Sequence, residues 1–422
     1  MKMLWCLALL LAVPLSGCKL PDDDEKSSQD LNVNSRYTIE SVRFTGGNST
    51  ISSPLRLEVD KIVGTKYDLL AIEDLADRIK SEMHFADVKI NVTRGTTPDY
   101  VIVNFEVKEQ PQNFDLNVAK FLYDSKEGWN GDGSATVKYH DNAFTFGLVS
   151  DNDTQVERYA GIRAKFERRN VGTGRLKVGF EFDSYHAQFN GATLDQAPSD
   201  EIYRTRQVFT PEATLEILPP LDWSFGVSFD RLGVPLSSLG VSGVAAAKTE
   251  SSNAVVNTLR YHQRWGSAHD RQEQEMNASY SVRAGTGLLD TDRTFTRHFM
   301  RALYRLRHGR HTVRAEFQAG RITGDAPLYE RFVLGDSETL RGWNRFDLDP
   351  LGASHVVYGS VGYQYSVVQA FYDTGAIWDV NSQLRQRQSV GVGFKKECFQ
   401  LAVAFPVRSG RMDPIFYAGM SF

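Results

Sequence analysis

Residues 398–408 run Cys398-Phe399-Gln400-Leu401-Ala402-Val403-Ala404-Phe405-Pro406-Val407-Arg408. Phe399, Leu401, Val403, Phe405 and Val407 fall on one face of an extended chain. Cys398, Gln400, Ala402, Ala404 and Arg408 fall on the other. The same pleat recurs in 174–187, where Leu176, Val178, Phe180 and Phe182 oppose Arg175, Lys177, Gly179 and Glu181. So large an apolar face has to meet lipid, because nothing else in the chain can cover it. An open sheet edge in hydrocarbon would leave N–H and C=O groups unpaired, so the sheet has to close.

Working outward from this strand, everything after Asn113 reads as strands without helices. The segments are 113–122, 133–140, 143–149, 158–169, 174–187, 204–217, 222–231, 254–265, 274–285, 295–307, 311–322, 353–367, 368–379, 387–396, 398–408 and 413–422. They number about sixteen, an even count that suits a bacterial barrel. Alternate links are short, as at Leu218-Pro219-Pro220-Leu221, Gly309-Arg310 and Lys396-Glu397. The others, such as 188–203 and 232–253, are longer and polar. Short periplasmic turns alternating with long external loops are expected of an outer-membrane barrel. A soluble β-sandwich also alternates, but it needs neither an export signal, nor strands this long, nor a terminal Phe422. On the lumen face, Arg283, Arg297, Arg301, Arg305 and Arg314 are expected to point inward. They would either pair with inward carboxylates, or favour anions or seat an acidic loop.

Ahead of the barrel the pattern differs. Tyr37 to Phe44 alternates as a strand, and Ser53-Pro54 starts a helix. A second helix follows Asp68, with Leu69, Ile72, Leu75, Ala76, Ile79 and Met83 on one face. Strands at 87–93 and 100–108 complete a β-α-α-β-β unit, a small α+β domain. Upstream, 20–35 is polar and acidic and reads as a tether. The first residues read as an export signal: Lys2, an apolar run from Leu4 to Leu15, then Leu15-Ser16-Gly17-Cys18, which matches the bacterial lipobox. That resemblance implies cleavage before Cys18 and lipidation of it. The expected division is 1–17 signal peptide, 18–35 tether, 36–110 small domain and 111–422 transmembrane barrel.

The net charge of -4 gives no reason to expect a nucleic-acid partner. With Cys6 in the signal and Cys18 acylated, Cys398 would be the single remaining thiol. The nine His show no ligand spacing, so no metal site and no cofactor are expected. There is no G-x-S-x-G and no Ser/His/Asp arrangement, so no enzyme is expected; Gly240-Val241-Ser242-Gly243 comes near it but reads as a loop tip.

Two stretches narrow the family. Residues 331–352 contain Leu340-Arg341-Gly342-Trp343 in a long loop. Residues 371–378 read Phe371-Tyr372-Asp373-Thr374-Gly375-Ala376-Ile377-Trp378. Together they resemble the BamA/TamA superfamily: the tetrad of its sixth external loop, and the F-x-D-x-G-x-x-W strand whose Asp pairs with the loop Arg. Arg169-Asn170-Val171-Gly172-Thr173-Gly174 resembles a periplasmic turn of that family, and Phe422 its C-terminal recognition signal. The small domain resembles a single POTRA domain. The resemblance implies a loop folded back into the lumen and locked by Arg341 and Asp373, with Gly342 allowing a tight turn and Trp343 adding rigid apolar area. The chain departs from the family in its twelfth strand, where Gly362 and Ser366 stand in place of Glu and Pro, so the usual acidic partner of the loop is expected to be missing.

The implied function is assembly or translocation of proteins at the outer membrane. The partners would be the lipid bilayer, unfolded barrel or secreted clients, and periplasmic chaperones or accessory lipoproteins. The alternative is a passive outer-membrane pore or surface antigen that retains the fold. A weak seam between the first and last strands would favour assembly; a fully bonded seam around an open lumen would favour the pore.

Overall fold

Alternation at period two builds the strands expected. The computed structural model describes residues 36–45, 53–83, 87–108, 114–151, 153–172, 174–235, 247–267, 272–380, 382, 384–396, 398–407 and 413–421. Cys18, Phe422, the signal and tether segments and the loop tip at 240–243 lie outside the described residues.

The small N-terminal unit is β1 (Thr38–Thr45), α1 (Ser53–Ile62), α2 (Leu69–Met83), β2 (Asp87–Arg94) and β3 (Tyr100–Lys108). Its sheet has the order β1-β3-β2, with β1 parallel and β2 antiparallel to β3. The Asp68 carboxylate accepts from the Leu70 N–H at 3.0 Å at the start of α2. Ile72, Leu75, Ala76 and Ile79 bury against Val101, Val103 and Phe105, while Leu69 is exposed. The unit fits a POTRA-like domain.

The barrel strands are β4 (Phe114–Asp124), β5 (Gly128–Tyr139), β6 (Asn142–Ser150), β7 (Arg158–Arg168), β8 (Leu176–Gln188), β9 (Thr205–Leu218), β10 (Leu221–Pro235), β11 (Ala247–Ser251), β12 (Ala254–Ser267), β13 (Gln272–Gly285), β14 (Phe295–His308), β15 (His311–Gly324), β16 (His355–Tyr365), β17 (Val368–Trp378), β18 (Arg385–Lys396), β19 (Phe399–Pro406) and β20 (Ile415–Ser421). The sheet closes where β20 pairs antiparallel with β4. β11 and β12 both pair with β10 and are separated by Ser252 and Asn253, so they form one interrupted strand of a 16-stranded barrel.

Two details differ from the sequence reading. The first link at the end away from the small domain is only Ser125 to Glu127, because β4 and β5 run further than expected. The Asp124 carboxylate accepts from the N–H groups of Lys126 (2.6 Å) and Glu127 (3.3 Å), and Gly128 adopts φ +89°. Trp129-Asn130-Gly131-Asp132-Gly133 has too few apolar side chains to show the alternation. Cys398 is buried and disulfide-bonded. The expectation of a lone thiol assumed that both other sulfurs were removed or blocked.

The pleat sorts the side chains as lipid and lumen require. Phe399 and Leu401 are exposed on the outer face, while Ala402 and Ala404 are buried inside. An aromatic ladder, Phe144–Phe166–Phe180–Phe209–Phe229, crosses five strands on the outer face with centroid spacings of 4.8, 5.5, 5.6 and 6.5 Å. The five inward arginines all meet carboxylates: Arg283 contacts Asp230 (2.8 Å) and Glu330, Arg297 contacts Glu330 (3.6 Å), Arg301 and Arg314 contact Glu316, and Arg305 contacts Glu275. Glu330 belongs to the long link between β15 and β16, so part of this basic wall does seat an acidic loop.

Candidate functional site

The link from Asp325 to Ser354, here called loop 6, folds into the barrel. Phe332 pairs with Ala353 at its neck. Below the neck, Leu334, Leu340, Trp343 and Leu348 pack against Ile322, Val356, Tyr358 and Ile377 of the inner wall. This apolar knob explains why a loop rich in charge leaves water. A short helix, α3 (Arg345–Leu348), is capped by Asn344, whose side chain accepts from the Phe346 N–H at 2.9 Å.

The knob turns sharply at the tetrad. Leu340 is held at φ +29°, a conformation costing an L-residue about 1–3 kcal/mol, and its side chain is fully buried. Gly342 adopts φ +94° against β19, where a Cβ would stand 3.2 Å from Ala404. Trp343 donates its indole N–H to the Gln388 carbonyl at 2.8 Å.

Arg341 meets Asp373 on β17 with a two-pronged contact: Nε to Oδ2 at 2.9 Å and Nη2 to Oδ1 at 2.8 Å. The Arg341 backbone N–H adds a third bond to Oδ2 at 3.0 Å. The guanidinium lies 3.5 Å from the Phe371 ring centroid. Gly391 makes room for that ring, since a Cβ there would lie 2.1 Å from it, and Gly375 likewise makes room for Leu334. Arg341, Gly342, Trp343 and Asp373 are therefore brought together in space.

One partner was not legible in the sequence. Ser360 is the register partner of Asp373 on β16. Its hydroxyl donates to Asp373 Oδ1 at 2.6 Å and accepts from Arg341 Nη2 at 3.2 Å. A neutral hydroxyl thus stands on the twelfth strand, where an acid was expected to be missing; Gly362 is two residues further along. The sequence signal would have been the register of the β16–β17 hairpin.

A second anchor was also missed. Arg345 is fully buried. It donates to Asp151 Oδ1 (3.0 Å), the Gln155 carbonyl (3.1 Å) and Glu127 Oε2 (3.0 Å), and its Nε lies 3.3 Å from Asp336. Lys120 on β4 contacts Glu338 at 2.8 Å and the Ser337 hydroxyl at 3.1 Å. On β20, the Tyr417 hydroxyl donates to the Asp336 carbonyl and accepts from the Gly342 N–H, both at 3.0 Å. Loop 6 is thus tied to both strands of the closing seam. Burial pushes the carboxyls of Asp336, Asp153 and Glu127 above their ordinary range, against the opposing pull of Arg345 and Lys120.

Residues 258–403 match the Omp85 superfamily domain. Over that stretch, about a third of its length, the chain is similar to this superfamily. The barrel is similar in structure to BamA from Haemophilus ducreyi lacking POTRA domains 1–3. The two are 13% identical with a TM-score of 0.55, over 92% of this chain and 85% of that one. It is also similar to CdiB from Escherichia coli (11% identity, TM-score 0.53, 92% and 77% of the chains). CdiB from Acinetobacter baumannii gives 12% identity and a TM-score of 0.54, over 92% and 74%. No curated protein matches the sequence. At these identities the structural likeness speaks to fold alone.

Proposed function

We propose that this chain is an outer-membrane protein insertion or translocation barrel that works without covalent chemistry. The observation that supports it is the seam. Among the described residues, β20 and β4 meet over five register pairs, from Tyr417 with Asp124 to Ser421 with Lys120. By comparison, β13 and β14 meet over fourteen. Phe114 to Val118 of β4 pair with β5 and have no described partner on their other edge. Unpaired N–H and C=O groups in hydrocarbon are costly, so a client strand that pairs there gains backbone hydrogen bonds.

In this reading the POTRA-like unit lies in the periplasm and receives clients at β2, an edge strand that among the described residues pairs with β3 alone. Arg341, Gly342, Trp343 and Asp373 hold the plugging loop and are architectural. Phe422 serves as the barrel's C-terminal signal. The test is depletion of the protein followed by an outer-membrane proteome. Loss of particular barrels or secreted proteins is expected; an unchanged proteome together with steady conductance through the purified barrel would favour the passive pore.

Lipidation of Cys18 belongs to the same reading and has its own test. A sulfur in a thioether to lipid cannot also be in a disulfide. Peptide mapping without reductant is expected to give an acylated peptide that begins at Cys18. A peptide linking Cys18 to Cys398 would overturn the lipid anchor.

A further inference from the structure

Outside the Arg341 site, the lumen gathers more buried carboxylates than cations. Glu127, Asp151 and Asp153 each bring one oxygen to within 4.8 Å of the others. Asp336 from loop 6 and Asp124 at the end of β4 face the same group, and both are buried. These five carboxylates share three cations. Arg345 contacts Glu127, Asp151 and Asp336; Arg158 lies 3.4 Å from Asp151; Lys120 lies 3.7 Å from Asp153 and is itself shared with Glu338. With all five ionised, the group carries two more negative charges than these three cations neutralise.

Several oxygens here also lack donors. Asp124 Oδ2, Asn130 Oδ1 and both carboxylate oxygens of Asp336 are buried and accept no hydrogen bond; one Asp336 oxygen has only the ion pair with Arg345 Nε. Asn130 is tied to the group by its side-chain N–H, 3.5 Å from Asp153 Oδ1. Buried acceptors in native structures are nearly always satisfied. Orphaned oxygens beside uncompensated negative charge call for a cation. The donors are carboxylates and one amide carbonyl, with no sulfur or imidazole, which suits a hard divalent ion rather than zinc. A flexible set drawn from three loops suits calcium better than magnesium, which demands near-ideal octahedral geometry and keeps its waters.

We propose that Asp124, Glu127, Asn130, Asp151, Asp153 and Asp336 form a calcium-class cation site that ties loop 6 to the first two loops at the far end of the barrel. The expectation of no metal site looked for sulfur and imidazole spacing. It could not see carboxylates that meet only after three separate loops fold together. The inference does not depend on whether the barrel inserts clients.

The test uses the full-length protein in detergent, stripped with EDTA and titrated calorimetrically with CaCl2 or MgCl2. One Ca2+ per chain is expected, with a Kd on the order of 10⁻⁴–10⁻³ M or tighter. Ca2+ is also expected to slow proteolysis of loop 6, with Mg2+ weaker in both readouts. Asp336→Asn removes a buried charge and keeps the shape, so it is expected to fold. It should lose at least about tenfold in Ca2+ affinity, and Asp124→Asn should do likewise. The proposal is overturned by absence of Ca2+ binding to the wild type several-fold above that Kd. It is equally overturned by undiminished binding in the Asp336→Asn, Asp124→Asn double variant.

Discussion

Replacing Asp373 with Ala is expected to release loop 6 from the wall. Asp373 is fully buried and accepts four hydrogen bonds, three from Arg341 and one from Ser360. Without it, the Arg341 guanidinium keeps Phe371 and Ser360 but has no counter-charge. Removing one partner of a buried ion pair costs on the order of 3–5 kcal/mol. Arg341→Ala leaves a carboxylate in place of a cation and is expected to cost a similar amount. Arg341→Lys is expected to fall between, because an ammonium cannot make the planar two-pronged contact. The measurements are limited proteolysis of loop 6 and heat-modifiable gel migration. Wild-type behaviour of both alanine variants would contradict the lock. The double variant should cost less than the sum of the singles, since the two residues share one interaction.

Arg345→Ala is the second large effect. Arg345 is the shared counter-ion of Glu127, Asp151 and Asp336, and its side chain has no solvent exposure. Its loss leaves three carboxylates facing one another, and Arg158 reaches only two of them, at 3.4 and 4.0 Å. The expected cost is at least the roughly 3–5 kcal/mol of a broken buried pair. The readouts are again loop proteolysis and thermal unfolding in detergent. Arg301→Ala is the internal control. Arg301 also pairs with a glutamate, but its side chain is 44% exposed, and such pairs contribute about 0–1 kcal/mol. Equal effects of the two substitutions would show that burial does not decide the ranking.

These sites differ in how readable they were. The strands were legible because a wall between lipid and lumen imposes a period of two, and Phe399, Leu401 and Val403 display it without help from the rest of the chain. The β4–β5 hairpin was less legible, because a glycine-rich strand carries little alternation. Arg341 and Asp373 could be matched as a pair only through the family pattern, since 32 residues separate them. Ser360 gave no signal, because its role comes from cross-strand register. Arg345 stands three residues after the tetrad's glycine, yet its acidic partners Asp151 and Glu127 lie 194 and 218 residues away. Closure of the barrel brings them together, and no local pattern encodes that. The cation cluster was hidden for the same reason.

The seam between β4 and β20 is expected to open during work. Tyr123 and Ala418 are register partners across it. A Tyr123→Cys, Ala418→Cys pair, oxidised in cells and compared with an Ala302→Cys, Phe317→Cys pair across the well-bonded β14–β15 ladder, separates an opening seam from a fixed one. The seam disulfide is expected to abolish assembly or export of client proteins, with reductant restoring it, while the control disulfide leaves activity unchanged. Full client assembly with the seam cross-link formed to completion would contradict it.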